Sequence, residues 1–174
     1  MSEATAYDLP AGEGELRELA AGIVRRASDA GLLIGTAESC TGGLISQLIT
    51  SVPGSSACMM GSVVSYACSV KRDVLGVDQA ILDSVGAVSS ECALAMARGA
   101  RSVLNCDVAV SVTGIAGPGG AVPGKPVGTV WFAVAGPGGA SSEKLVFSGD
   151  RDEVRAKTAR HALGLLGGCL VETR

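Results

Sequence analysis

Residues 32–49 read LLIGTAESCTGGLISQLI, and they hold the fold in outline. The run from Leu32 to Thr36 is short and apolar and reads as a buried strand. Thr41-Gly42-Gly43 then turns the chain, and Leu44, Ile45, Leu48 and Ile49 recur at the spacing of one helix face. A strand that passes through a glycine-rich turn into a helix is the building unit of layered α/β domains.

The same alternation continues on both sides. Upstream, Leu16, Leu19, Ala20, Ile23, Val24 and Ala27 mark an amphipathic helix whose other face carries Glu15, Arg17, Glu18, Arg25 and Arg26. Downstream, Pro53-Gly54-Ser55-Ser56 closes the second helix. Gly61 to Ala67 (GSVVSYA) is rich in β-branched and aromatic residues and predicts a strand, with Lys71 in the segment just beyond it. Ser89 or Ser90 caps a helix over Ala93, Leu94, Met96, Ala97 and Ala100 that ends near Leu104.

A strand from Asp107 to Thr113 empties into GIAGPGGAVPGKP, which is too rich in glycine and proline to be regular. Val127 to Ala135 and Lys144 to Phe147 are β-like and linked through Gly136-Pro137-Gly138-Gly139, so an antiparallel hairpin is the simplest connection. Asp150 and Glu153 form a capping pair for a last helix through Val154, Ala159, Ala162, Leu163 and Leu166. The expected fold class is α/β, a mixed and mostly parallel sheet carrying an antiparallel hairpin and flanked by helices. The expected organisation is a flexible tail over residues 1–12 and one domain over 13–170.

Composition narrows the function. The chain has 174 residues, and a domain of about 150 residues buries roughly 70% of the surface its unfolded chain exposes. With 47% hydrophobic but only 3% aromatic residues, the core must be built from Ala, Val, Leu and Ile at close backbone approach. A net charge of −3 supplies no basic field for nucleic acid. The six cysteines include no C-x-x-C pair and read as reduced thiols, with neither a zinc site nor a disulfide framework. No apolar run approaches the roughly 20 residues of a membrane span, and MSEATAYDLP has neither the basic nor the apolar region of a signal peptide. A cytoplasmic protein is expected.

Ligands of open α/β sheets sit at the carboxyl ends of strands, which singles out TAESCTGG, SYACSVK and TGIAGPGG. The first places Glu38, Ser39, Cys40 and Thr41 at a turn opening a helix, where N–H groups and the helix dipole favour an oxyanion or a phosphate. Alone this signal is weak, because Ser and Thr cap helices widely and Gly is the default turn residue.

A serine nucleophile needs a base. The chain's one histidine, His161, falls in the last helix, so a Ser-His-Asp triad is disfavoured. Lysine is the other candidate, but a free lysine has a pKa of about 10.4 and is about one part in two thousand neutral at pH 7. Burial or a neighbouring cation must lower that value before it takes a proton. Lys71, five residues after Tyr66 and behind an apolar strand, suits burial better than Lys125, Lys144 or Lys157. Tyr66 is placed to relay or orient the proton. Cys40 is a rival nucleophile, since a thiol at a helix N-terminus can have a depressed pKa.

Read in order, TAESCTGG, GSVVSYACSVK, LGV, GAVS, SVTGIAGPGG, KPVGTVWFAV and FSGDRDEVR resemble the blocks of the CinA C-terminal domain family, from about residue 13 to about 168. That resemblance implies a three-layer α/β/α domain, usually a homodimer, that hydrolyses the carboxamide of nicotinamide mononucleotide without a metal or other cofactor. By motif it places the nucleophile on Ser39, the lysine base on Lys71 and the motif tyrosine on Tyr66. Candidate substrate contacts are the N–H groups near Cys40, Thr41, Gly42 and Gly43 for an oxyanion, Arg151 or the N–H groups of the TGIAG loop for the phosphate, and Thr113 and Gly114 for ribose or phosphate. Nucleic acid and membrane are not among the implied partners.

The chain departs from the pattern in two ways. Where the family's tyrosine block reads like YSNEAK, this one reads YACSVK, with Cys68 and Ser69 in the asparagine and acidic positions. An unmade polar contact there costs about 1 to 3 kcal/mol. The N-terminal domain of longer members, which resembles molybdopterin-cofactor biosynthesis proteins, has no counterpart here, so a stand-alone form is expected. The rival to an amidohydrolase is a non-catalytic nucleotide- or protein-binding module related to competence- and damage-inducible proteins.

Overall fold

The computed structural model describes residues 12–172. The expected tail, apart from Gly12, falls outside them. The described chain runs α1 (Glu13–Ala30), β1 (Ile34–Glu38), α2 (Leu44–Thr50), a 3-10 turn at Ser55–Ala57, β2 (Met59–Val64), α3 (Cys68–Asp73), α4 (Gln79–Ser84), α5 (Ser90–Leu104), β3 (Val108–Gly114), β4 (Thr129–Gly136), β5 (Gly139–Val146) and α6 (Arg151–Glu172).

The sheet has five strands in the order β2-β1-β3-β4-β5. β1 pairs in parallel with β2 and β3, while β3–β4 and β4–β5 are antiparallel. The fold is therefore a mixed α/β sheet with the expected hairpin at one edge. Alternation along β3 sorts the layers. Val108, Val110 and Val112 pack with Leu16, Ile23, Ile45 and Leu163 of α1, α2 and α6. Ala109 faces Met96 and Ala100 of α5, and Ala93 and Ala97 lie against Ala133 and Ala135 of β4. Alanine on alanine brings α5 close to the sheet, which is how a chain with few aromatics fills its core. Among the described residues no helix is long and apolar enough to cross a membrane.

Boundaries moved where side-chain chemistry overrode hydrophobic pattern. β1 begins at Ile34 because the Leu32 N–H still closes the α1 C-terminus, donating to the Ala27 carbonyl around Gly31 at φ 65°. Its far end extends to Glu38, whose carboxylate is satisfied inside the protein. β2 stops at Val64, earlier than the expected Ala67, because the chain leaves the sheet to enter α3. β5 starts at Gly139 and not Lys144, since its Ser-Ser-Glu-Lys stretch is a solvent-facing edge strand with little apolar signal. α3 and α4 have six residues each, too short for a helical period to show.

The caps follow expectation. Ser89 accepts from the Cys92 N–H, Asp150 accepts from the Asp152 and Glu153 N–H groups, and Glu153 accepts in return from the Asp150 N–H.

Candidate active site

The three strand-to-loop junctions singled out from the sequence meet at the carboxyl end of β1, β2 and β3. Between them lies a cavity of about 270 Å³ lined by Ser39, Cys40, Tyr66, Lys71, Thr113 and Arg151, among others. These places follow from topology: Ser39 directly follows β1, Tyr66 lies in the β2–α3 connection and Lys71 within α3, β3 ends in Thr113 and Gly114, and α6 begins with Arg151.

Lys71 is 1% exposed, and its stem is buried among the core side chains. Its Nζ donates to Ser39 Oγ at 2.9 Å, to the Ser65 carbonyl and to the Tyr66 carbonyl at 3.4 Å. Burial pushes its pKa below the ordinary 10.5, partly offset by the Cys92, Cys68 and Cys40 thiols around it. Once the proton is lost, two N–H groups satisfy two carbonyls that can only accept, and the lone pair is left for the Ser39 hydroxyl. The arrangement is that of a nucleophile within hydrogen-bond reach of its base.

Ser39 sits at a turn organised by its neighbour. Glu38 is fully buried, and its carboxylate accepts from Thr41 Oγ1 (2.7 Å), Gly43 N (3.0 Å), Ile45 N (3.1 Å), Ser46 N (2.8 Å) and Thr36 Oγ1 (3.2 Å). Gly42 and Gly43 take φ of 63° and 99°, which the tight turn requires. The opening of α2 is therefore occupied by a carboxylate of the chain itself. This corrects the expectation that its N–H groups meet a substrate anion: Thr41, Gly42 and Gly43 are not among the residues lining the cavity, and the Gly42 N–H bonds back to the Ser39 carbonyl. Of that turn, the Cys40 N–H stands beside Ser39 and is used by none of these bonds.

Cys40 lines the cavity, but its thiol is not activated. Burial drives its pKa up to about 12, with the Glu38 carboxylate adding to the rise, the opposite of the depressed value a nucleophilic thiol at a helix start would need. Cys40→Ala should accordingly keep most activity, within about threefold of wild type, at a stability cost of about 1 kcal/mol. Iodoacetamide should leave Cys40 unlabelled at neutral pH, which peptide mass spectrometry checks.

Tyr66 is 64% exposed. It holds Lys71 through its backbone carbonyl, while its hydroxyl accepts from Arg151 Nη2 at 3.3 Å. Arg151 also donates from Nη1 to the Gly117 carbonyl at 2.7 Å, so it reaches the cavity of its own chain. Both partners are neutral oxygens. Thr113 is buried and spends its hydroxyl on the Ala87 carbonyl at 2.7 Å. Gly114 must be glycine, for a Cβ there would lie 2.7 Å from the Thr129 carbonyl oxygen. Of the two departures from the family block, Cys68 lines the cavity and Ser69 does not.

His161 is away from this site, buried against the Phe132 ring at 4.6 Å and bonded to the Glu143 carboxylate. Among the described residues no three of His, Cys, Asp or Glu converge as metal ligands do. Sequence reasoning missed the Glu38 clamp, the Ser65 carbonyl and Arg155, whose Nη2 donates to the Thr41 carbonyl at 2.9 Å. The clamp escapes the capping-box spacing, since Glu38 precedes the first helical residue, Leu44, by a whole turn of irregular backbone.

Comparison with known proteins places this site in a family. Residues 16–170 match the CinA C-terminal domain. A CinA-like protein of Geobacter metallireducens is 48% identical over 156 residues, covering 90% of this chain and 37% of that protein. One from Anaeromyxobacter dehalogenans is also 48% identical, covering 89% and 37%. The chain thus spans about 37% of the length of these relatives. Among solved structures, the competence/damage inducible protein CihA from Agrobacterium tumefaciens superposes with a TM-score of 0.87 at 42% identity, covering 93% of this chain and 98% of that one. A competence-damaged protein (CinA) superfamily protein from Escherichia coli gives 0.85 at 31% identity, covering 92% and 94%.

Proposed function

The chain belongs to the CinA C-terminal domain family, and from that premise we propose that it is an amidohydrolase converting nicotinamide mononucleotide to nicotinate mononucleotide and ammonia. The observation that carries the reading is Lys71 Nζ, buried and held 2.9 Å from Ser39 Oγ by two backbone carbonyls.

In this reading neutral Lys71 takes the Ser39 proton as Oγ attacks the carboxamide carbon. The Cys40 N–H faces the oxyanion that develops. Lys71 then returns the proton to the departing nitrogen, the C–N bond breaks, and ammonia leaves an ester on Ser39. Water, deprotonated by the same amine, attacks the ester carbon and releases the nucleotide as a carboxylate.

Arg151 serves the other end of the substrate. Its hydrogen-bond partners here are uncharged, so a phosphate arriving at the cavity mouth gains a charge-assisted, bidentate contact. Tyr66 holds that guanidinium in place through its hydroxyl and leaves proton transfer to Lys71. Arg151→Ala is expected to raise KM by about tenfold to a hundredfold with kcat within a few fold. Steady-state ammonia release from nicotinamide mononucleotide, run with a chelator present, tests the reaction and this split together. A wild type that releases no ammonia would sink the reading.

A further inference from the structure

We infer that Glu38 is the positioning residue for the nucleophile: its buried carboxylate sets the β1–α2 turn so that Ser39 Oγ meets Lys71. The inference rests on the serine–lysine reading above and deepens it. A fully buried carboxylate is tolerated only where donors satisfy it, and here donors arrive from two sides. From the turn side come Thr41 Oγ1 and the N–H groups of Gly43, Ile45 and Ser46. From the strand side comes Thr36 Oγ1, which also bonds Ser62 Oγ at 2.7 Å.

Ser39 is joined to Glu38 by one peptide bond, and its own N–H is fixed to the Val112 carbonyl of β3 at 3.1 Å. The turn is therefore pinned at both ends, by β3 before the nucleophile and by the carboxylate after it. Two glycines at positive φ would otherwise leave this segment the freest part of the cavity wall. A misplacement of about 1 Å at a reacting group can cost on the order of a hundredfold in rate, so a clamp on the turn acts on kcat and leaves substrate affinity alone.

The test compares two deletions of the same kind on the same carboxylate. Thr41→Val removes a turn-side donor, and Thr36→Val removes the strand-side donor. Each is read by the rate at which a fluorophosphonate probe labels Ser39, by kcat and KM, and by thermal melting. Thr41→Val is expected to slow labelling and lower kcat about tenfold to thirtyfold with KM unchanged. Thr36→Val should lower the melting temperature by a similar amount yet leave labelling and kcat within about twofold.

Glu38→Gln, which keeps the shape but turns one acceptor into a donor facing N–H or O–H groups, should exceed Thr41→Val in both rate effects. Equal rate losses in the two threonine variants, losses that track melting temperature alone, or a wild type whose Ser39 does not label would overturn the inference. Ammonia release is scored separately. A wild type that labels at Ser39 but does not deamidate nicotinamide mononucleotide removes the substrate assignment and leaves the clamp standing.

Discussion

Ser39→Ala is expected to lower ammonia release from nicotinamide mononucleotide by at least about 10⁴-fold, with the melting temperature little changed. The size follows from the number of roles that end on one oxygen. In the proposed mechanism Ser39 Oγ is the attacking atom and the point of attachment of the acyl group, and in the structure it is the partner of Lys71. The side chain itself is small and contributes little packing, so the variant should fold, bind substrate and fail at chemistry. Cys40 offers no rescue, because its thiol is held near a pKa of about 12 and stays protonated at neutral pH. Steady-state ammonia assays beside binding calorimetry on the same variant separate the two effects.

Lys71→Met should be as damaging to kcat, and Lys71→Arg no better, since a guanidinium stays protonated and carries no lone pair at working pH. The pH dependence gives the sign. Burial lowers the Lys71 pKa below 10.5, and only the neutral amine takes the Ser39 proton. The wild-type rate should therefore rise with pH through the folded-state pKa and then level, and fall as acid charges the amine.

The same shift links to stability. Between the folded and unfolded pKa values the unfolded chain binds the extra proton, so the contribution of this group to stability rises with pH across that window. Denaturant titrations of wild type against Lys71→Met should show the wild type gaining relative stability as pH climbs toward 10.5. A pH-independent difference would mean that the Lys71 pKa is the same in the folded and the unfolded chain.

Much of this was legible in the order of residues. The strand–turn–helix at 32–49 set the fold class because hydrophobic spacing changes there within a few residues, and the capping pair Asp150–Glu153 fixed where α6 begins. Ser39 and Lys71 were reachable because a strand end and a lysine behind an apolar run are both local signals. What stayed hidden depends on contacts distant in sequence. The bond between Tyr66 and Arg151 joins residues 85 apart and ties the tyrosine hydroxyl to the guanidinium, where the sequence reading had it serve the lysine.

Glu38 looked like part of an open anion cradle and proved to be what closes it. No sequence spacing announces a carboxylate that reaches forward across two glycines to cap a helix. β5, read as only Lys144 to Phe147, was shortened because an edge strand with one wet face carries little hydrophobic pattern.

The most direct test is mass spectrometry of wild-type protein quenched within milliseconds of mixing with nicotinamide mononucleotide. The serine–lysine mechanism predicts the nicotinate mononucleotide acyl group as an ester on the peptide that contains Ser39, absent from Ser39→Ala. An acyl group on Cys40, or turnover with no adduct on Ser39 at any quench time, would contradict it.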